Sequence, residues 1–205
     1  MIKPGIYKHF KGGYYKVLYT ARHSEINEEV VVYQGLQGDC GIWVRPISMW
    51  NETVEHEGVI KKRFELFDVT SVDNLIDKVA LIYIRNKKVL FTKSKGEELY
   101  FLPGGKREKG ETDIQCLMRE IKEELGVNLI SESAKHYGTY FATTVGLNSN
   151  RLLNMTCYQA TFKGEPKPCS EIEELVWLSY ADRNTKNAPA GKTILDELYA
   201  KGLIE

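Results

Sequence analysis

Apolar and polar residues alternate with a short period in the first third of the chain, and the spacing turns helical only near the middle. Up to about Phe67 the apolar residues fall in brief runs, Tyr14 to Tyr19, Glu29 to Tyr33, Ile42 to Pro46 and Ile60 to Leu66, broken by glycines and polar clusters. Runs of that length, rich in β-branched and aromatic residues, predict strands. The segment VVVYQGLQGDCGIWVRP reads as two strands joined by a turn, with Gly35, Gly38 and Gly41 supplying a permissive backbone. No helical period is visible there. A small all-β domain is therefore expected at 1–67, a polar linker at 68–76, and a second domain at 77–205.

The second domain opens on VALIYI, a polar turn at Arg85 to Lys88, and VLFTK, which together predict a hairpin. After LPGGKREKGE, the residues Ile114, Leu117, Met118, Ile121 and Leu125 are spaced as one apolar helical face. Thr112 is placed to cap that helix, Gln115 to complete a capping box, and Gly126 to end it. Strands are expected around Tyr137 to Thr144, Leu152 to Phe162 and Leu175 to Leu178, and a last helix from about Lys192 to Lys201. Strands, a helix, strands and a helix describe a layered α/β or α+β domain.

Composition narrows the function without choosing it. The 205 residues carry 28 basic and 28 acidic side chains, with 42% hydrophobic and 27% charged residues, which describes a globular chain and excludes a disordered or fibrous one. Zero net charge removes the simplest case for a nucleic-acid binder without excluding a local basic patch, because counterion release needs a basic surface. The amino terminus MIKPGIYKHF lacks the apolar run of a secretory signal, and no stretch has the length of a membrane span, so a cytoplasmic protein is expected. Cys40, Cys116, Cys157 and Cys169 are far apart, which predicts free thiols rather than a zinc or redox motif.

The chemistry is carried by the central helix. Glu120, Glu123 and Glu124 stand at i, i+3 and i+4, close enough to repel one another, and near the helix end whose dipole disfavours anions. Either they form a solvated face, or they hold a hard cation such as Mg²⁺ or Mn²⁺ that relieves the repulsion. The preceding loop decides. From Gly105 the sequence GKREKGETDIQCLMREIKEELGV fits G-x5-E-x7-R-E-U-x-E-E-x-G-U, U being aliphatic, at Gly105, Glu111, Arg119, Glu120, Ile121, Glu123, Glu124, Gly126 and Val127. A chance match is on the order of one in ten million.

That pattern is the signature of the Nudix hydrolases, and the chain resembles this family over roughly residues 77–205. The resemblance implies a Nudix α/β/α sandwich with a mixed sheet, and metal-dependent hydrolysis of a nucleoside diphosphate linked to another moiety. It gives Glu120, Glu123 and Glu124 the role of carboxylates that bind divalent metal, with one of them orienting or deprotonating the attacking water. Glu111 and Arg119 are read as an ion pair tying loop to helix, and Gly104 and Gly105 as the tight loop that approaches metal or phosphate. In SEIEELVW, Glu171 is the first candidate for a further metal ligand, with Glu173 or Glu174 next; the alternative is that all three are surface charges.

Substrate signals are fainter. Thr143 stands where the ADP-ribose-type members carry proline, and NADH-type and coenzyme-A-type patterns are not evident, which leaves a likeness to the MutT-type group acting on nucleoside triphosphates, oxidised ones included. Tyr100, Phe101, Tyr140 and Phe141 are candidates to stack a base or to fill the core. Asn187 loosely resembles the base-reading asparagine of MutT-type proteins. A small-molecule nucleotide is the expected partner; the oligomeric state stays open, a homodimer included. A Nudix fold that senses a nucleotide or docks a partner without turnover is the alternative to an enzyme.

KPGIYKHFKGGYYKVLYTARHSE, followed by VVYQ and GIWVRP, resembles a family of small bacterial domains of uncharacterised function. Lys8, His9, Lys11, Tyr14, Tyr15, Arg22, Trp43 and Arg45 combine basic and aromatic groups there. They fit either a small barrel that grips an anionic or nucleotide ligand, or an aromatic core with a basic rim.

Overall fold

The computed structural model describes residues 2–70, 75–145 and 151–205, so residues 71–74 of the expected linker lie outside the described residues. The chain divides into two compact units, Met1–Leu75 with Ala142–Leu152, and Ile76–Phe141 with Leu153–Glu205.

In the first unit, β1 (Gly5–His9), β2 (Tyr14–Arg22), β3 (Glu29–Gly35) and β4 (Ile42–Pro46) are followed by a short α1 (Ile47–Asn51), then β5 (Thr53–His56), β6 (Val59–Lys62) and β7 (Phe64–Leu66). The sheet runs β4-β3-β2-β1-β7, and β5 and β6 pair by themselves. The expected β3–β4 hairpin is present, with Tyr33 opposite Trp43 and Val31 opposite Arg45. The five-residue α1 is the departure from an all-β reading: its burial rests on the single residue Trp50, which leaves no apolar repeat to detect. Tyr7, Val17, Val31, Tyr33 and Phe64 share one sheet face and close over Trp50, whose ring lies flat on Phe64 at 3.9 Å.

The second unit contains β8 (Leu75–Leu81), β9 (Ile84–Arg85), β10 (Lys88–Ser94), α2 (Asp113–Leu125), β11 (Asn128–Leu129), β12 (Lys135–Thr143), β13 (Leu152–Gln159), β14 (Phe162–Lys163), β15 (Ile172–Leu178) and α3 (Pro189–Ala200). The expected hairpin is altered. Only Ile84 and Arg85 pair with β10, across a turn in which Asn86 and Lys87 have φ of 50° and 60°, whereas β8 joins β12 and β13. The apolar run VALIYI changes sheet after Leu81, and an uninterrupted run of apolar residues gives no sign of that break.

Adjacent residues of a strand face opposite ways, and β10 uses this to bind a helix on each side. Leu90 packs with Val79, Leu81 and the α2 residues Leu117, Ile121 and Leu125. Phe91 meets α3, where a Cβ on Gly191 would lie 2.8 Å from the Phe91 ring. The result is the helix–sheet–helix layering expected of a mixed α/β domain. Two boundaries move: Met118, expected on the apolar face of α2, is 40% exposed, its inward place being taken by Cys116, and α3 starts earlier than Lys192 because Pro189 occupies its first turn, where a missing N–H costs nothing.

Candidate active site

The loop before α2 is bound at both sides. Phe101 exchanges backbone hydrogen bonds with Thr92 of β10 (2.9 and 2.8 Å), Leu81 N–H donates to the Pro103 carbonyl (2.8 Å), and Val79 N–H donates to that of Gly105 (2.9 Å). The loop therefore runs as an added strand beside β8. At Gly104, with φ of 132°, a Cβ would fall on the Val79 carbonyl oxygen, so only glycine fits. A Cβ on Gly105 would strike the Glu120 carboxylate.

Helix α2 begins with the complete capping box. Gln115 N–H donates to Thr112 Oγ1 at 3.3 Å, and Thr112 N–H donates to Gln115 Oε1 at 2.9 Å. Gly126 ends the helix in the left-handed conformation, φ 68°. Two turns into α2, Arg119 donates to both oxygens of Glu111 (2.7 and 2.9 Å), to Glu120 Oε1 (2.8 Å) and to the Lys106 carbonyl (3.1 Å). The fork binds loop to helix in the bidentate geometry particular to arginine. These bonds hold the Glu111 carboxyl at about 2, with the Glu108 N–H adding to the effect.

Glu124 is treated in the opposite way. It is 7% exposed, and its Oε2 accepts the Gly104 N–H at 2.9 Å. Burial pushes its carboxyl up to about 7; Gly104 N–H and Lys78 pull downward, while Glu120 and Glu171 push it further up. Glu124 thus lies within electrostatic reach of two more carboxylates and one lysine. Glu123 is turned outward, half-exposed, with its nearest charge Arg119 at 3.6 Å. Glu173 and Glu174 are engaged elsewhere, both with Lys93 (3.3 and 3.5 Å), and Glu174 also with the Tyr100 hydroxyl. Among the described residues no three acids, histidines or cysteines converge at ligand distance, since Glu120 and Glu124 are turned to donors of the protein itself. The donor set nevertheless fits a hard divalent cation: a carboxylate raised by burial, with two further carboxylates acting on it, is what such a cation would relieve.

Tyr100 and Asn187 are brought together, their backbones bridged in parallel. Asn187 is 3% exposed, its Nδ2 donates to the Asp182 carbonyl at 2.7 Å, and its Oδ1 is buried with no partner among the described residues. Phe101 is half-buried beside β10. Tyr140, a candidate for base stacking, belongs instead to the core: it is 8% exposed and its hydroxyl donates to Glu197 of α3 at 2.7 Å. None of the four cysteines forms a disulfide among the described residues, and burial pushes the Cys116 thiol up to about 11, so it is no nucleophile.

One residue of the site escaped sequence reasoning. Arg107, inside the loop, donates to Asp113 at 2.9 Å, to Thr156 at 3.2 Å and to Asp77. It fastens the loop to β8, to β13 and to the start of α2. Asp77 and Thr156 are 30 and 49 residues distant, so no local spacing reveals the pairing.

A NUDIX domain profile matches residues 75–198, and a profile described as "protein of unknown function (DUF1653)" matches residues 5–66. The chain is 27% identical to the E. coli ORF135 protein, with 62% of this chain and 90% of that one covered and a TM-score of 0.50. It is 23% identical to a MutT NUDIX hydrolase from Burkholderia pseudomallei, with 62% and 99% covered and a TM-score of 0.53, a likeness of fold. Among curated proteins it is 24% identical over 102 residues to the m7GpppN-mRNA hydrolase of Saccharomyces cerevisiae, covering 49% of this chain and 10% of that protein. The chain thus spans about a tenth of the length of the curated relatives it matches.

Proposed function

This chain belongs to the NUDIX domain family, and from that premise we propose that it is a metal-dependent pyrophosphohydrolase that cleaves a diphosphate linkage in a nucleotide. The observation that carries the reading is Glu124, a buried carboxylate that accepts the Gly104 N–H at 2.9 Å on the glycine loop, with Lys78, Glu120 and Glu171 as its charged neighbours. Glu120, Glu124 and Glu171 would hold the cation, with Glu123 available from the solvent side of the same helix. Bound there, Mg²⁺ or Mn²⁺ would offset phosphate charge and make a nucleophile of water, so that no protein nucleophile is required.

The chain's own groups supply the rest. Gly104 and Gly105 let the backbone come close to an anion. Arg119 with Glu111, and Arg107 with Asp77 and Asp113, fix the loop. Lys78 lends positive charge beside Glu124, and a carboxylate of the set takes the proton from the attacking water. Tyr100 and Asn187, with its unspent Oδ1, are the side chains suited to receive the base. A MutT-type substrate, a nucleoside triphosphate or an oxidised one, is the first expectation, and the protein is placed in the cytoplasm.

The likeness to the m7GpppN-mRNA hydrolase adds a capped RNA end to the candidates. The test is a screen of the purified chain, with Mg²⁺ or Mn²⁺, against nucleoside triphosphates, oxidised nucleotides, nucleotide sugars, dinucleoside polyphosphates and capped RNA. Metal-dependent turnover of at least one class is expected. Tight nucleotide binding with no product from any class would replace the enzyme with a sensor.

A further inference from the structure

The first unit gathers positive charge around an aromatic corner without matching it. His9 and Arg45 both lie against the Phe64 ring, with the His9 centroid at 4.9 Å and the Arg45 guanidinium at 5.7 Å. Arg63, 5.7 Å from the Phe10 ring, is paired with Glu52, but Arg45 has no carboxylate partner among the described residues. Two donors here are buried with no acceptor among the described residues, Arg45 Nε and the indole N–H of Trp50, a residue only 1% exposed. A buried donor without an acceptor is costly unless something arrives to accept from it.

Beside His9 opens a cleft of about 420 Å³, within the range of small-molecule sites, whose walls include Lys8, Phe10, Lys61 and Lys62. Glu65 is the acid on that wall and stands opposite Lys8 across the β1–β7 pair. Lys61 and Lys62 have no carboxylate partner among the described residues. A second cavity, of about 360 Å³, shares Lys62 and Glu65 with the first and reaches Trp50 and Phe64. The His9 ring faces Arg45, Arg63 and Lys11, and their charge, after burial, keeps it neutral by lowering its affinity for a proton. Its Nδ1 accepts the Lys11 N–H at 3.3 Å, which leaves the ring proton on Nε2 as a further donor.

We propose that this corner of the first unit binds a nucleoside monophosphate, with the phosphate held by His9, Lys61 and Lys62 of the cleft wall and the base against the Phe10 ring. Three phosphate oxygens suit several converging donors, and an aromatic face accepts any base. A free nucleotide is favoured over a nucleic-acid strand because residues 1–67 carry 9 basic and 8 acidic side chains, too even a balance for backbone tracking. The site uses no residue of the hydrolytic centre and stands or falls apart from it.

The test is calorimetric titration of the full chain, in EDTA, with AMP, GMP, CMP and UMP, and with inorganic phosphate and a single-stranded oligonucleotide in parallel. At least one monophosphate should bind, about tenfold or more tighter than inorganic phosphate. The double variant K61A/K62A, whose two positions are exposed on β6 and leave the fold intact, should weaken it about tenfold or more. Phe10→Ala should weaken it by a similar factor. Binding of none of the four, affinity no better than that of phosphate, indifference to K61A/K62A, or tighter binding of the oligonucleotide would each overturn the proposal. So would an affinity lost in Glu124→Gln but kept in the lysine variant.

Discussion

The first unit crowds cations around aromatic rings, while the second crowds carboxylates around a glycine loop. In each, a cluster of like charge sits beside a tightly held piece of backbone or ring. The means differ. The first unit uses ring packing, Trp50 stacked on Phe64 with Tyr7 and Tyr33 edge-on to the indole. The second uses two arginine forks, Arg107 and Arg119, that tie one loop to different elements. Aromatic packing resists change because its energy is spread over many contacts, whereas an arginine fork concentrates it in a few directional bonds. The two units should therefore fail in different ways.

The largest effect is expected at Trp50. Trp50→Ala empties the centre of the first unit's core and should cost about 4 kcal/mol there. Hydrogen exchange should show sheet β1–β4 losing protection while α2 keeps its own; equal loss in both units would contradict the contrast.

Next comes pH, which should act on the two units with opposite sign when metal is withheld. Glu124 has a raised proton affinity, so its contribution is complete below about 4.5 and is lost as pH rises through about 7, a loss of about 3 kcal/mol for the second unit. His9 has a lowered one, so the first unit loses stability as pH falls below about 6.5, the ordinary histidine value. Hydrogen exchange in EDTA at pH 5 and pH 8, corrected for intrinsic rates, should show α2 better protected at the lower pH and β1 at the higher. Changes of the same sign would break the comparison.

Smaller effects separate the two forks. Arg107→Ala leaves Asp77 and Asp113 without their cation and should destabilise the second unit by about 2 kcal/mol, read from hydrogen-exchange protection of α2 across a urea series. Arg119→Lys keeps the charge but loses the bidentate grip on Glu111, and should lower turnover about tenfold with little change in stability. If Arg107→Ala proves silent, the loop is held by one fork only.

What could be read in the sequence was what is settled over short distances. The cap at Thr112 and Gln115, the stop at Gly126 and the Glu111–Arg119 pair all lie within one loop and its helix, where spacing fixes contact. The glycine at 104 was readable as a tight loop, though not its reason, the Val79 carbonyl of a strand 25 residues earlier. Arg107 was opaque because its partners come from β8 and β13. The change of sheet after Leu81 was opaque too, because an apolar strand has the same pattern whichever neighbour it takes. Glu171 was one of three acids in a row of similar appearance; what sets it apart is that Glu173 and Glu174 are occupied by Lys93, a choice made by the β10–β15 register.

In the proposed mechanism the carboxylates around Glu124 serve hydrolysis through a divalent cation. The most direct measurement is turnover of the best substrate from the nucleotide screen, followed across a Mg²⁺ titration for the wild-type chain and for Glu124→Gln. Turnover should be saturable and EDTA-sensitive in the wild type and fall on the order of a thousandfold in the variant. The variant, freed of a buried charge, should also be the more stable of the two at pH 8 without metal. Equal turnover by both proteins, or turnover indifferent to metal, would contradict the mechanism.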